Sequence, residues 1–102
     1  MSNTSDTFER RLSILREHLS RALASECLEG LFREALRTAA VARELAFEDE
    51  GEDIRRVAGD AALEICSGLV PAEEAERQLR ERLAVRLTLM GLALSPSPDG
   101  EV

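Results

Sequence analysis

Apolar residues recur along this chain with the spacing expected for one face of a helix. In the first segment they stand three or four residues apart, at Phe8, Leu12, Leu15, Leu19 and Ala22. This spacing places them on one side of an α-helix. Asp6 and Glu9 have the spacing of an N-terminal capping box, so a first helix is predicted from Asp6 to about Ala24.

The apolar stripe loses its phase near Glu26 and resumes in a second segment. Its members are Leu28, Leu31, Phe32, Ala35, Ala39, Ala42 and Ala46. Ser25 as a new N-cap, or Gly30 as a C-cap, would each place a turn between two helices. The alternative is one long helix with a phase shift, which would leave three helices in the chain instead of four.

The pattern stops again at Phe47, where a run of acidic residues begins. We interpret this run as an exposed acidic turn, made of Glu48, Asp49, Glu50, Gly51, Glu52 and Asp53. A third helix is predicted from Asp53 or Ile54 to about Ser67, with Gly68 as its C-cap.

A fourth helix is predicted from Pro71, which suits a first helical position, to about Leu94. Its last twelve residues are apolar on two opposite sides. The first stripe contains Leu83, Leu87, Met90 and Leu94, and the second contains Val85, Leu89 and Leu92. A bundle core needs only one stripe, so the second must be covered by the rest of the domain or by another chain.

Together these segments predict an all-α fold, most simply an antiparallel four-helix bundle. We expect residues 6–94 to form the single domain, residues 1–5 a flexible N-terminus and residues 95–102 a disordered tail. Gly59 lies inside the third helix, where glycine costs about 1 kcal/mol relative to alanine. Close approach of the second and third helices at Gly59 would compensate for that cost.

The charge of the chain limits its partners. The formal net charge is −7, and the chain has arginine but no lysine. Nucleic acid is a poor partner for such a chain, because phosphate neutralisation supplies most of that binding energy. Arginine without lysine also suggests a GC-rich genome, and we expect a bacterial protein. A basic protein surface is a better match for the acidic residues Glu48, Asp49, Glu50, Glu52 and Asp53.

Few side chains in the sequence can carry chemistry. Lysine, tyrosine and tryptophan are absent, and His18 is the only histidine. No Glu-x-x-His spacing accompanies His18, and the acidic run fails as a calcium loop because Ala46 and Val57 take two ligand positions. We therefore expect no enzyme activity, no metal and no cofactor. Cys27 and Cys66 are expected to be reduced thiols in the core.

The sequence also carries no membrane signal that we recognise. Its first residues, MSNTSDTFERR, lack the features of a signal peptide, and its longest apolar stretch contains Arg86. We expect a soluble cytoplasmic protein.

These observations favour a protein–protein interaction module, such as a small adaptor, a chaperone-like protein or a regulatory bundle. It would act as a homodimer or with another protein through Val85, Leu89, Met90 and Leu92. The alternative function is an acidic inhibitor, similar to phage or antitoxin proteins, that occupies a basic surface of a nucleic-acid-processing machine.

Overall fold

The computed structural model describes residues 4–94, and it describes side chains from residue 7 to residue 91. Four helices follow one another: α1 is Thr4–Leu23, α2 is Leu28–Glu44, α3 is Glu48–Ser67 and α4 is Ala72–Leu94. The all-α prediction and the number of helices are confirmed. Of the predicted flexible residues 1–5, residues 4 and 5 belong to α1, which begins two residues before Asp6. Residues 1–3 and the predicted tail at 95–102 lie outside the described residues.

The helices form a ring in which each packs against its neighbours in sequence, and the ring closes between α1 and α4. Short connections make successive helices antiparallel. The core consists mainly of leucine and alanine, as the periodic spacing predicted. Its largest fully buried aliphatic side chains are Leu15, Leu19, Leu31, Ile54, Leu79 and Leu83.

The predicted break between the first two helices is present, but neither Ser25 nor Gly30 makes it. Cys27 is the N-cap of α2, and its Sγ accepts a hydrogen bond from the Gly30 backbone N–H at 3.4 Å. Gly30 therefore lies in the first turn of α2. The prediction of core thiols is wrong, because Cys27 and Cys66 are both exposed.

The Cys27 cap provides a first testable prediction. A thiol sulfur is a weak hydrogen-bond acceptor, while a carboxylate is among the best N-cap groups. Cys27→Asp is therefore expected to raise the free energy of unfolding by about 0.5–1 kcal/mol, measured by urea denaturation. Cys66→Ser, an exposed position without a capping role, should change it by less than about 0.5 kcal/mol. An equal response of the two variants would contradict the capping role.

The predicted acidic turn is wrong. The connection between α2 and α3 spans only residues 45–47, and Ala46 has a positive φ of 70° there. Glu48, Asp49 and Glu50 form the first turn of α3, where the helix dipole favours negative charge. Carboxylates are favourable at the start of a helix and also in an exposed loop. The acidic run therefore does not indicate where α3 begins.

The glycine at the close approach of α2 and α3 is Gly51, so the prediction for Gly59 is also wrong. A Cβ atom built on Gly51 would lie 2.8 Å from the backbone oxygen of Ala39. A Cβ atom on Gly59 would meet nothing within 4 Å, and Gly59 is exposed. Because Gly51 has no side chain, α2 and α3 can approach each other closely near the start of α3.

Arginine side chains join the helix ends at opposite ends of the bundle. Arg80 of α4 donates to the backbone oxygens of Leu23 at 2.9 Å and Ser25 at 2.6 Å, where α1 ends. Arg11 of α1 donates to the Leu45 oxygen at 2.9 Å, where α2 ends. These carbonyls lie at or just beyond the C-terminal ends of α1 and α2, where the helix backbone offers no donor, and the arginines supply one.

Candidate functional site

The second apolar stripe of α4 is not covered by the rest of this chain. Val85 is 58% exposed and Leu89 is 54% exposed, although α4 packs against both α1 and α3. The alternative in which the rest of the domain covers this stripe therefore fails for these two residues. The side chain of Leu92 lies outside the described side chains. Met90 is only 5% exposed and belongs to the core.

Leu89 also forms one wall of an open groove at the end of the bundle. The groove encloses about 270 Å³ and is lined by Phe8, Leu12, Leu15, Phe47, Glu50, Leu89 and Met90. Phe8 remains 39% exposed at its mouth, and its ring meets Phe47 edge to face with 5.7 Å between centroids. Met90 can therefore meet a partner only as part of the groove lining. We call Phe8, Val85 and Leu89 the α4 surface.

A half-buried arginine fixes the position of the α4 surface relative to α3. Arg86 lies between Val85 and Leu89 in sequence and forms ion pairs with Glu50 at 3.2 Å and Asp53 at 2.9 Å. Both carboxylates stand in the first two turns of α3. Because the three side chains are about one-quarter to one-third exposed, solvent screens these pairs less than it screens pairs on the open surface. The apolar residues beside Arg86 thus lie on a part of α4 that is joined to α3 by ion pairs.

The acidic residues singled out from the sequence are largely paired with arginines of this chain. Glu50 and Asp53 contact Arg86, and Glu52 contacts Arg55 at 2.5 Å. The hydrogen bond from Arg55 holds the pKa of Glu52 below its usual value. Among the described residues, only Glu48 and Asp49 of this set make no ion pair, so three of the five carboxylates already have an arginine partner in this chain.

Sequence reasoning missed a second apolar surface, on the outer side of α2 and α3. A groove of about 460 Å³ opens there, lined by Leu28, Glu29, Phe32, Ala62, Ile65 and Cys66. Leu36 follows Phe32 by one helical turn and is 49% exposed. Leu28, Phe32 and Leu36 form a four-residue repeat that the sequence contains, but the first two also fit the core stripe. We call Leu36 together with the groove-lining residues the α2–α3 surface.

The described part of the chain shows no arrangement for metal chemistry or for crossing a membrane. No three His, Cys, Asp or Glu side chains within it are grouped to hold a metal ion. None of its helices combines the length and the apolar character that a membrane span requires.

Comparisons of this chain with protein families, with curated proteins and with solved structures found no match. The site must therefore be interpreted from its own geometry.

Proposed function

We propose that this chain is a non-enzymatic interaction module that binds a helix of a partner protein through the α4 surface. The observation that carries this proposal is the exposure of Val85 and Leu89, one turn apart on α4. Residues four apart on a helix face the same direction, so they offer a continuous apolar strip. Phe8 extends the strip to the groove at the end of the bundle.

A helical partner suits this shape. The groove is lined mostly by apolar side chains, with Glu50 as its charged group. An amphipathic helix binds such a groove by inserting apolar side chains that are three or four residues apart. The ion pairs of Arg86 keep α3 and α4 in place, so little of the binding energy is lost in ordering the site.

Leu89→Glu is the direct test of this proposal. Because Leu89 is half exposed, the variant should remain folded, which circular dichroism would show. It should lose partners that the wild-type chain retains from an extract of the source cell, because a buried carboxylate without a partner opposes binding. Affinity for an isolated partner, measured by calorimetry, should fall at least about tenfold, or about 1.4 kcal/mol.

Thr88→Glu is the matched control. Thr88 is an exposed neighbour on the same turn of α4, and its side chain points about 100° away from Leu89. This variant should keep the partners of the wild-type chain. Retention of the same partners by Leu89→Glu would contradict the proposal. Binding that ignored Leu89 but weakened steeply with salt and with changes at Glu48 and Asp49 would instead support the acidic inhibitor.

A further inference from the structure

We infer that the α2–α3 surface binds a second copy of this chain, related by a two-fold axis that passes near Phe32. The α2–α3 surface lies on a different face from the α4 surface, and self-association through it does not depend on the proposed function. It rests on three features of the face: a groove beside a protruding leucine, an unpaired acid and base on the rim, and an exposed glycine inside a helix.

The groove and the protruding side chain are placed symmetrically about Phe32. Leu28 lines the groove four residues before Phe32, and the half-exposed Leu36 lies four residues after it. Each interval of four residues spans about 6 Å along the helix. A two-fold axis through Phe32 therefore places Leu36 of each copy over the Leu28 end of the other copy's groove. Such mutual insertion is what a self-complementary interface requires.

The same two-fold axis would bring opposite charges of the two copies together. Glu29 lines the groove, and Arg33 follows it by one turn at an exposed position. This spacing commonly forms an ion pair within a helix, yet neither residue makes one with the described residues. In an antiparallel pairing of α2 helices about Phe32, Glu29 of one copy comes within reach of Arg33 of the other. The pair occurs twice, once on each side of the axis.

Small side chains on α3 allow a neighbouring chain to come close. Ala62 lines the groove, and Gly59 precedes it by one turn with open space where its Cβ would lie. Within one copy, nothing offsets the cost of Gly59 inside a helix. Leu63 follows Ala62 on α3 and is 67% exposed, so it adds apolar area that association would cover.

The test is the solution mass of the full chain, measured by light scattering over about a hundredfold range of concentration. We expect a concentration-dependent dimer for the wild-type chain. Leu36→Glu should convert it to a monomer with unchanged circular dichroism, because a carboxylate would enter the partner's apolar groove. A wild-type chain that stays monomeric over the whole range would overturn the inference, whether or not the face binds another protein.

A charge exchange tests the pairing itself. Glu29→Arg and Arg33→Glu should each raise the dissociation constant of the dimer about tenfold, because each variant sets like charges together twice. The double variant E29R/R33E should return it to within about threefold of the wild-type value. Failure of the double variant to recover would exclude this two-fold arrangement.

Leu89→Glu serves as the control for the dimer measurement. It changes the other face of the bundle and should leave the dissociation constant of the dimer unchanged. If Leu89→Glu abolishes the dimer and Leu36→Glu does not, self-association belongs to the α4 surface and the inference fails. Conversely, loss of partner binding by Leu89→Glu without loss of the dimer would support both proposals separately.

Discussion

Gly51→Ala is expected to lower the free energy of unfolding by about 2 kcal/mol, even though alanine is the better helix former. The new Cβ would stand 2.8 Å from the Ala39 backbone oxygen and 3.2 Å from the Ala42 Cβ. Neither atom belongs to a flexible side-chain end, so α2 and α3 must separate to admit the methyl group. Urea denaturation monitored by circular dichroism would measure the change.

Gly59→Ala is the matched control for Gly51→Ala. Both glycines lie inside α3, and open space surrounds the Cβ position of Gly59. At a protein concentration low enough to keep the chain monomeric, its replacement should stabilise the fold by about 0.5–1 kcal/mol, the ordinary gain of a helix-interior alanine over glycine. If both variants were stabilised equally, the close approach of α2 and α3 at Gly51 would be refuted.

The contrast between these glycines shows what periodicity can and cannot predict. Spacing identified four helices and the core stripe, because burial of Leu15, Leu19 and Leu83 dictates a 3.6-residue repeat. It could not tell which glycine faces a neighbouring helix. The acidic neighbours of Gly51 favour a loop at this position, and only the packing of α3 against α2 reveals how close Gly51 lies to Ala39.

The predicted boundaries of the connections are wrong for a related physical reason. The α2–α3 connection contains no glycine, and Ala46 adopts the left-handed conformation that glycine usually signals. The α1–α2 connection ends at Cys27, the N-cap of α2, and cysteine is not among the preferred N-cap residues. Both turns therefore lack their usual sequence signals, and the helices that pack on either side determine where they occur.

The candidate site was only partly visible in the sequence. The second stripe of α4 identified Val85 and Leu89 because the surplus of apolar residues is a local property of one helix. Phe8 joins them through the tertiary contact of α1 with the α2–α3 connection, which no local pattern records. The α2–α3 surface was missed because Leu28 and Phe32 serve both the core stripe and the outer groove.

Arg80→Ala is expected to lower the free energy of unfolding by about 2–3 kcal/mol, a large effect for the loss of one charged side chain. Its guanidinium donates to two carbonyls at the end of α1 and to Glu76 at 2.8 Å. Hydrogen bonds from a charged donor contribute about 1.5–3 kcal/mol, and their loss leaves half-buried acceptors unpaired.

Arg77→Ala provides the comparison that separates this role from surface charge. Arg77 lies on the same helix and forms ion pairs with Glu74 and Glu81. Both pairs lie within α4, and the Arg77 side chain is 55% exposed. Exposed pairs of this kind contribute about 0–1 kcal/mol, so this variant should remain near wild-type stability.

Arg80→Lys distinguishes geometry from charge at the same position. Lysine keeps the positive charge but lacks the planar group that reaches the Leu23 and Ser25 oxygens together with Glu76. It should recover less than half of the stability that Arg80→Ala loses, measured by the same denaturation. Full recovery by lysine would show that α4 is attached to the α1–α2 connection by charge alone. Partial recovery would show that the directed hydrogen bonds hold the two together.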